Sequence, residues 1–150
     1  DIDTANKLLG YEFFFEGEVV HGNKLGRQLG YPTANLKIHN EEKIIPGDGI
    51  YAVYARVKPG FLSKQDPEPF ARDSIYSLRF KGMMSIGFRP TVDGKKRVIE
   101  VNIFDFNREI YGDTLVVYVK KFLRGEEKFD SLEALVAQIA NDKLESMKVL

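Results

Sequence analysis

The sequence has no cysteine, only two histidines, no long apolar run and no excess of either charge. Each shortage removes a class of function. Without Cys there is no disulfide scaffold, no thiolate zinc site and no Cys nucleophile. With His21 and His39 alone, a histidine-built metal cluster is not expected, and both read as loop or strand-edge residues. The 22 Lys and Arg balance 22 Asp and Glu, so the formal net charge is zero. Such a chain is no general nucleic-acid binder, because the sequence-independent part of that affinity comes from basic side chains neutralising phosphates. Nothing approaches the roughly 18 consecutive apolar residues of a membrane span. The start, Asp1-Ile2-Asp3, has neither an initiator Met nor a basic-then-apolar leader, which sets the expectation of a piece of a longer cytoplasmic protein. No repeat, low-complexity tract or break in composition points to a second domain. What is present, 150 residues with 43% hydrophobic and 29% charged, is the make-up of one globular domain able to bury a core.

Hydrophobic periodicity divides the chain into strands and two helices. Asp3 to Leu9 reads as a short helix, capped by Asp3 or Thr4 and stopped by Gly10. From Glu12 to Val20 the pattern alternates, with Phe13, Phe15 and Val19 on one side and Phe14, Glu16 and Glu18 on the other. After a glycine-spaced stretch, Pro32 marks the start of a strand on which Ala34, Leu36 and Ile38 face away from Thr33 and Asn35. Pro46-Gly47-Asp48-Gly49 is a turn before the Ile-, Val- and Tyr-rich strand Ile50–Val57. Lys58–Asp73, with Pro59, Pro67 and Pro69, reads as an exposed loop or insertion. Ser74–Phe88 is a strand or hairpin, and Arg97–Phe104 alternates again, with Ile99, Val101 and Ile103 opposite Glu100 and Asn102. Thr114–Phe122 is the last strand. The final segment changes to helical period: Leu132, Leu135, Val136, Ile139 and Leu144 are predicted to share one face, with Asp130 and Glu133 as a capping-box-like start. About six strands and one long C-terminal helix predict a small antiparallel barrel with a packed helix.

Several motif matches fail on context. Gly47-x-Gly49-x-x-Ala52 has dinucleotide-fingerprint spacing, but a β-branched, aromatic strand follows it where a helix is required. Gly17-x4-Gly22 continues as Asn23-Lys24, not Lys-Ser or Lys-Thr. Ser85 lies in Met84-Ser85-Ile86, without the glycines of a hydrolase elbow.

Three other features can work together, each with a blander reading beside it. The loop Gly22–Gly30 carries Lys24 and Arg27, so its N–H groups and cations suit an anion, or it is a solvated hairpin loop. Thr33 and Asn35, two residues apart on one strand face, offer a hydroxyl and a carboxamide oxygen to a hard cation such as Mg²⁺, or they cover the polar face of an edge strand. Glu100 is placed to act as a general base, or it is an exposed strand carboxylate.

The order of these blocks resembles the riboflavin kinase (flavokinase) family. The residues carrying the resemblance are Gly17-Glu18-Val19-Val20-His21-Gly22, then Gly26-Arg27-Gln28-Leu29-Gly30-Tyr31-Pro32-Thr33-Ala34-Asn35-Leu36. Further along come Gly49-Ile50-Tyr51-Ala52, Ser85-Ile86-Gly87, the Glu100 strand, Tyr111-Gly112 and Phe122-Leu123-Arg124-Gly125-Glu126-Glu127-Lys128-Phe129-Asp130-Ser131-Leu132. Together they run from about residue 12 to about residue 142. The lead-in Ala5-Asn6-Lys7-Leu8-Leu9-Gly10 resembles the linker into the C-terminal kinase module of bacterial bifunctional FAD synthetases.

The resemblance implies a six-stranded Greek-key barrel that moves the ATP γ-phosphate to the ribityl 5′-hydroxyl of riboflavin, giving FMN and ADP. By the family's roles, Thr33 and Asn35 would hold Mg²⁺ and the ATP phosphates, with Gly22, Lys24, Gly26 and Arg27 in the loop over the nucleotide and Tyr111 beside it. Glu100 would be the base, and Ile103, Asp105, Arg124, Glu127 and Phe129 match flavin-side positions. It implies residues 1–11 as linker and short helix, 12–150 as the kinase domain, and an N-terminal FMN adenylyltransferase domain in the full-length protein. No His-x-Gly-His nucleotidyltransferase motif occurs in this chain, so FMN and not FAD is the expected product. Two departures stand out: Arg89-Pro90 where the family commonly has Asn-Pro, and a long Lys58–Asp73 stretch. A different class of reading is a non-catalytic small β-barrel that binds a flavin or a partner protein.

Overall fold

Alternating apolar residues commit each strand to one buried face, and six such strands close on themselves. The structure, a computed structural model, describes residues 2–21, 33–39, 45–59, 76, 78–106 and 108–150. In chain order they form α1 (Ile2–Leu9), β1 (Phe13–Val20), β2 (Ala34–Lys37), β3 (Gly49–Lys58), β4 (Phe80–Thr91), β5 (Gly94–Ile103), β6 (Thr114–Arg124) and α2 (Leu132–Val149). The strands make a closed antiparallel barrel in the order β1-β2-β5-β4-β3-β6. β3, β4 and β5 form a meander and β6 returns beside β3, which is a Greek key. Closure leaves no unpaired sheet edge running the length of the barrel.

The core is the set of inward positions that the alternation picks out: Phe15 and Val19 on β1, Val53 and Val57 on β3, Met84 and Ile86 on β4, Ile99 and Val101 on β5, and Leu115 and Val117 on β6. Burying each such side chain contributes about 1.5–3 kcal/mol. Within the expected Ser74–Phe88 segment the strand is β4, which begins at Phe80 and continues past Phe88 to pair Pro90 with Lys95. Proline is tolerated there because the ladder is ending at a hairpin.

Ile2, buried with the core, and the Asn6 side chain tie α1 to the barrel. The Asn6 carboxamide donates to the Val119 carbonyl (3.1 Å) and accepts from the Phe13 N–H (2.7 Å), so it spans β6 and β1. Gly10, at φ +74°, ends the helix.

α2 packs on the outer face of β3, β4 and β6, where Ala52 and Met83 are buried although they point away from the core. It differs from its sequence-based expectation in two ways. Its N-cap is Ser131, whose Oγ accepts from the Ala134 N–H (3.1 Å), one residue beyond the Asp130 expected from the box pattern. Its packed face is also not the leucine stripe: Leu132 and Leu144 are exposed, whereas Asp142 and Ser146 are buried. At 100° per residue Leu135, Ile139, Asp142 and Ser146 fall on one stripe, and Leu144 lies well off it. A buried ion pair at Asp142, described below, fixes that rotation.

Gly49 occupies φ +148°, and a Cβ there would overlap the Phe122 ring and lie 2.9 Å from the Arg124 carbonyl oxygen. Gly49→Ala is therefore expected to cost roughly 1–3 kcal/mol in urea unfolding. An unchanged midpoint would mean that this contact does not constrain the β3–β6 junction.

Candidate active site

Because Ile99 and Val101 are committed to the core, Glu100 and Asn102 must point from the opposite face of β5. The register then fixes their neighbours. Asn35 on β2 and Ser85 on β4 are both Cα partners of Glu100. The row continues from Ser85 to Ile50 on β3 and from Ile50 to Arg124 on β6. Directly opposed side chains have Cβ atoms about 4.5–5.5 Å apart. Thr33, two residues before Asn35, is half-buried at the entry to β2. The fold thus joins Thr33 and Asn35, Glu100 and Arg124, from three separate parts of the sequence, on one strip of the outer surface.

Glu100 is held in an environment unlike that of an exposed strand carboxylate. Burial pushes its carboxyl above the ordinary carboxylate range; the Arg89 guanidinium draws it back down, and Glu126 pushes it up again. Among the described residues no hydrogen bond is made to its carboxylate, so it is open to a substrate hydroxyl. Beside it, Asn35 is 9% exposed and its carboxamide has no hydrogen-bond partner among the described residues. The Thr33 hydroxyl and Asn35 carboxamide fit a hard cation that takes its remaining ligands from water and phosphate oxygens. Among the described residues no group of three or more His, Asp or Glu could by itself hold a metal, so such an ion depends on those outside ligands.

Tyr111 sits in the turn between Ile110 and Asp113. The Gly112 N–H donates to the Val19 carbonyl and the Val19 N–H to the Asp113 carbonyl, both at 2.9 Å, which pins the turn to the end of β1. The Tyr111 ring stacks on His21, centroids 3.8 Å apart and 25° from parallel. His21 directly precedes Gly22; Gly22, Lys24, Gly26 and Arg27 lie outside the described residues, as does most of the Lys58–Asp73 stretch.

The other candidates are placed as follows. Arg124 Nε and Nη2 donate to the two carboxylate oxygens of Asp142 on α2 (2.9 and 2.8 Å), and Gln138 donates to the same carboxylate (3.0 Å). Those hydrogen bonds raise the Arg124 pKa further above its already high value, so the guanidinium stays charged in a fixed plane. Phe129 lies under it at 5.8 Å. Asp105 is exposed, in a turn at φ +55°, which Asp tolerates better than most residues. Ile103 packs into the barrel core, and Glu127 is exposed.

Sequence reasoning assigned no site role to Ser85, Glu126, Asp142 or the ring of His21. Ser85 and Glu126 have no local signature, since both owe their positions to strand pairing and to the path of the chain after β6. Asp142 carried a signal that was available: an acidic residue on the same helical stripe as Leu135 and Ile139.

A family model described as Flavokinase: Riboflavin kinase matches residues 9–150. The chain belongs to the riboflavin kinase family. It is 38% identical over 151 residues to a bifunctional riboflavin kinase/FMN adenylyltransferase of Bacillus subtilis, covering 99% of this chain and 42% of that protein. A protein of the same name from Escherichia coli K12 is 38% identical over 144 residues, covering 96% and 40%. The chain therefore spans about two fifths of the length of these curated relatives. Among solved structures, one described as a macrolide-efflux protein from Streptococcus pneumoniae superposes with a TM-score of 0.79 at 37% identity, covering 97% of this chain and 42% of that one. A riboflavin kinase from Trypanosoma brucei shares the fold at a TM-score of 0.60 and 24% identity, covering 90% of this chain and 74% of that one.

A carboxyl whose pKa is raised by burial disfavours the folded state once it ionises, so the penalty is absent at low pH and grows as pH rises through the folded-state value. Glu100→Gln is therefore expected to keep or raise the Tm at pH 7–8, with the difference from wild type shrinking as the medium is made acidic. A variant markedly less stable at neutral pH would mean that the carboxylate is a structural support.

Proposed function

We propose that this chain is a riboflavin 5′-phosphotransferase, making FMN and ADP from riboflavin and ATP. The observation that carries the reading is the row Asn35–Glu100–Ser85, with a half-buried carboxylate beside a buried carboxamide, neither of them hydrogen-bonded by side chain among the described residues. Phosphoryl transfer asks a protein for alignment and charge stabilisation more than for covalent chemistry. Glu100 accepts the proton of the ribityl 5′-hydroxyl as that oxygen bonds to the γ-phosphorus and the β–γ bridging P–O bond breaks toward ADP. Thr33 and Asn35 orient the phosphates and provide the protein oxygens for Mg²⁺. When bound, that ion supplies charge neutralisation at the phosphate oxygens. The loop holding Gly22, Lys24, Gly26 and Arg27 covers the nucleotide, with Tyr111 beside it. Arg124, fixed by Asp142, faces the flavin with Phe129, and Asp105 and Glu127 complete that side; Ile103, expected there from the resemblance, is instead committed to the core on the face of β5 opposite Glu100.

In the full-length protein the chain is fused to an N-terminal FMN adenylyltransferase domain, as the names and lengths of the relatives suggest, with residues 1–11 as the connecting segment and 12–150 as the kinase domain. A kinase of this kind draws on cytoplasmic ATP and works there. No helix among the described residues is long and apolar enough to cross a membrane.

Incubation with riboflavin and Mg-ATP, with flavins separated chromatographically, should yield FMN without FAD; no FMN at any protein concentration overturns the reading. Glu100→Gln should lower kcat by about 10²–10⁴-fold, the usual worth of a general base, and near-normal turnover removes Glu100 from that role. Thr33→Ala and Asn35→Ala should each weaken binding of ADP with Mg²⁺ by about 10- to 100-fold, measured by calorimetry. A flavin-binding module without catalysis would be indifferent to both changes.

A further inference from the structure

Ser85, Gly87 and Arg89 alternate along β4 onto the face that carries Glu100, since Ser85 is the register partner of Glu100. The middle position has no side chain, and another part of the chain uses the space. A Cβ on Gly87 would overlap the Glu126 carboxylate, both oxygens included. Glu126 lies between β6 and α2, so its carboxylate reaches onto β4 from a segment remote in sequence. Arg89 closes on it from the next position of the same strand face. Its Nη1 donates to Glu126 Oε1 and to the Phe88 carbonyl, each at 3.1 Å. Both partners are partly exposed, 44% and 32%, and such a pair adds little to global stability. Its significance is positional.

The segment from Gly125 to Asp130 is anchored at both ends. Arg124 is locked to Asp142 at one end, and the Ser131 cap starts α2 at the other. Between them, Phe129 lies under the Arg124 guanidinium. Glu126 is where this segment meets the strand face of Glu100, close enough for Glu100 to feel both Glu126 and Arg89 electrostatically.

We propose that Glu126, seated over Gly87 and clasped by Arg89, is a positioning residue for the flavin: it docks the 125–130 segment on β4 so that a flavin held against Arg124 and Phe129 presents its hydroxyl to Glu100. The proposal rests on the flavin-kinase reading above. It gives Arg89 a role, and it makes Gly87 a seat that a methyl group would fill.

The test measures flavin affinity directly, by the change in riboflavin's own fluorescence, alongside steady-state kinetics with each substrate. Glu126→Gln, Arg89→Gln and Gly87→Ala should each raise Kd and KM for riboflavin by about fivefold, with a smaller change in kcat and none in KM for ATP. Gly87→Ala is the telling variant, because it removes no charge and only evicts the carboxylate. Arg89→Lys should retain most of the affinity, and the double Arg89→Gln/Glu126→Gln should be no worse than the poorer single variant. Unchanged riboflavin affinity in Glu126→Gln overturns the proposal. So do additive losses in the double variant, or a loss confined to kcat in Arg89→Gln. If Gly87→Ala does not fold, the two partly exposed positions, Glu126 and Arg89, decide alone. A wild-type protein that binds no riboflavin overturns the flavin reading itself, a result distinct from variants that bind as wild type does.

Discussion

The arrangement depends on the two-residue alternation of β5, clamped between β2 and β4. Ile99 and Val101 have no exposure to spare, so β5 cannot slip by one residue without turning its apolar side chains outward and its carboxylate into the core. That constraint holds Glu100 still. It also sets Glu100 opposite Asn35 and Ser85 through backbone ladders on both sides, which are stiffer supports than a loop. The precision of the site is a by-product of core packing on the other face of the same strand.

Charge is organised around this strip in linked pairs. Arg124 is neutralised by Asp142 and Arg89 by Glu126, each pair joining a strand to the segment or helix that follows β6. Zero net charge therefore conceals local structure in the charge distribution. The more buried pair fixes α2, with Asp142 only 4% exposed and satisfied by three hydrogen bonds. Such a pair contributes orientation more than net stability, because the desolvation cost offsets much of the attraction. The more exposed pair is cheaper to open, which suits a position that a substrate has to approach.

Much of the fold was legible in the sequence because strands with one buried face write their period into composition. β1 and β5 lie where the alternation of Phe15 and Val19 and of Ile99 and Val101 puts them, and β3 and β6 lie in the apolar segments read as strands. The barrel and its terminal helix followed from counting such segments, and the block order carried the family. The rotation of α2 was not legible. Leucines suggested one face, but a single Arg–Asp pair turned the helix so that Leu144 is exposed. Likewise nothing local in Gly125-Glu126-Glu127 says which of two adjacent carboxylates turns back toward β4. The positions of Glu100 and Asn35 were legible as faces of strands, and their adjacency became visible only through register.

Asn6 joins Val119 to Phe13, bridging the seam where the first strand meets the last. Phe13 and Val119 are themselves register partners, more than a hundred residues apart along the chain. β1 therefore emerges from the ribosome long before the strand that completes its pairing. The meander β3–β4–β5 can assemble from neighbours, whereas the seam closes only when β6 arrives. Closing the barrel therefore requires a pairing of long sequence separation, and the Asn6 amide bonds to both strands of that closure.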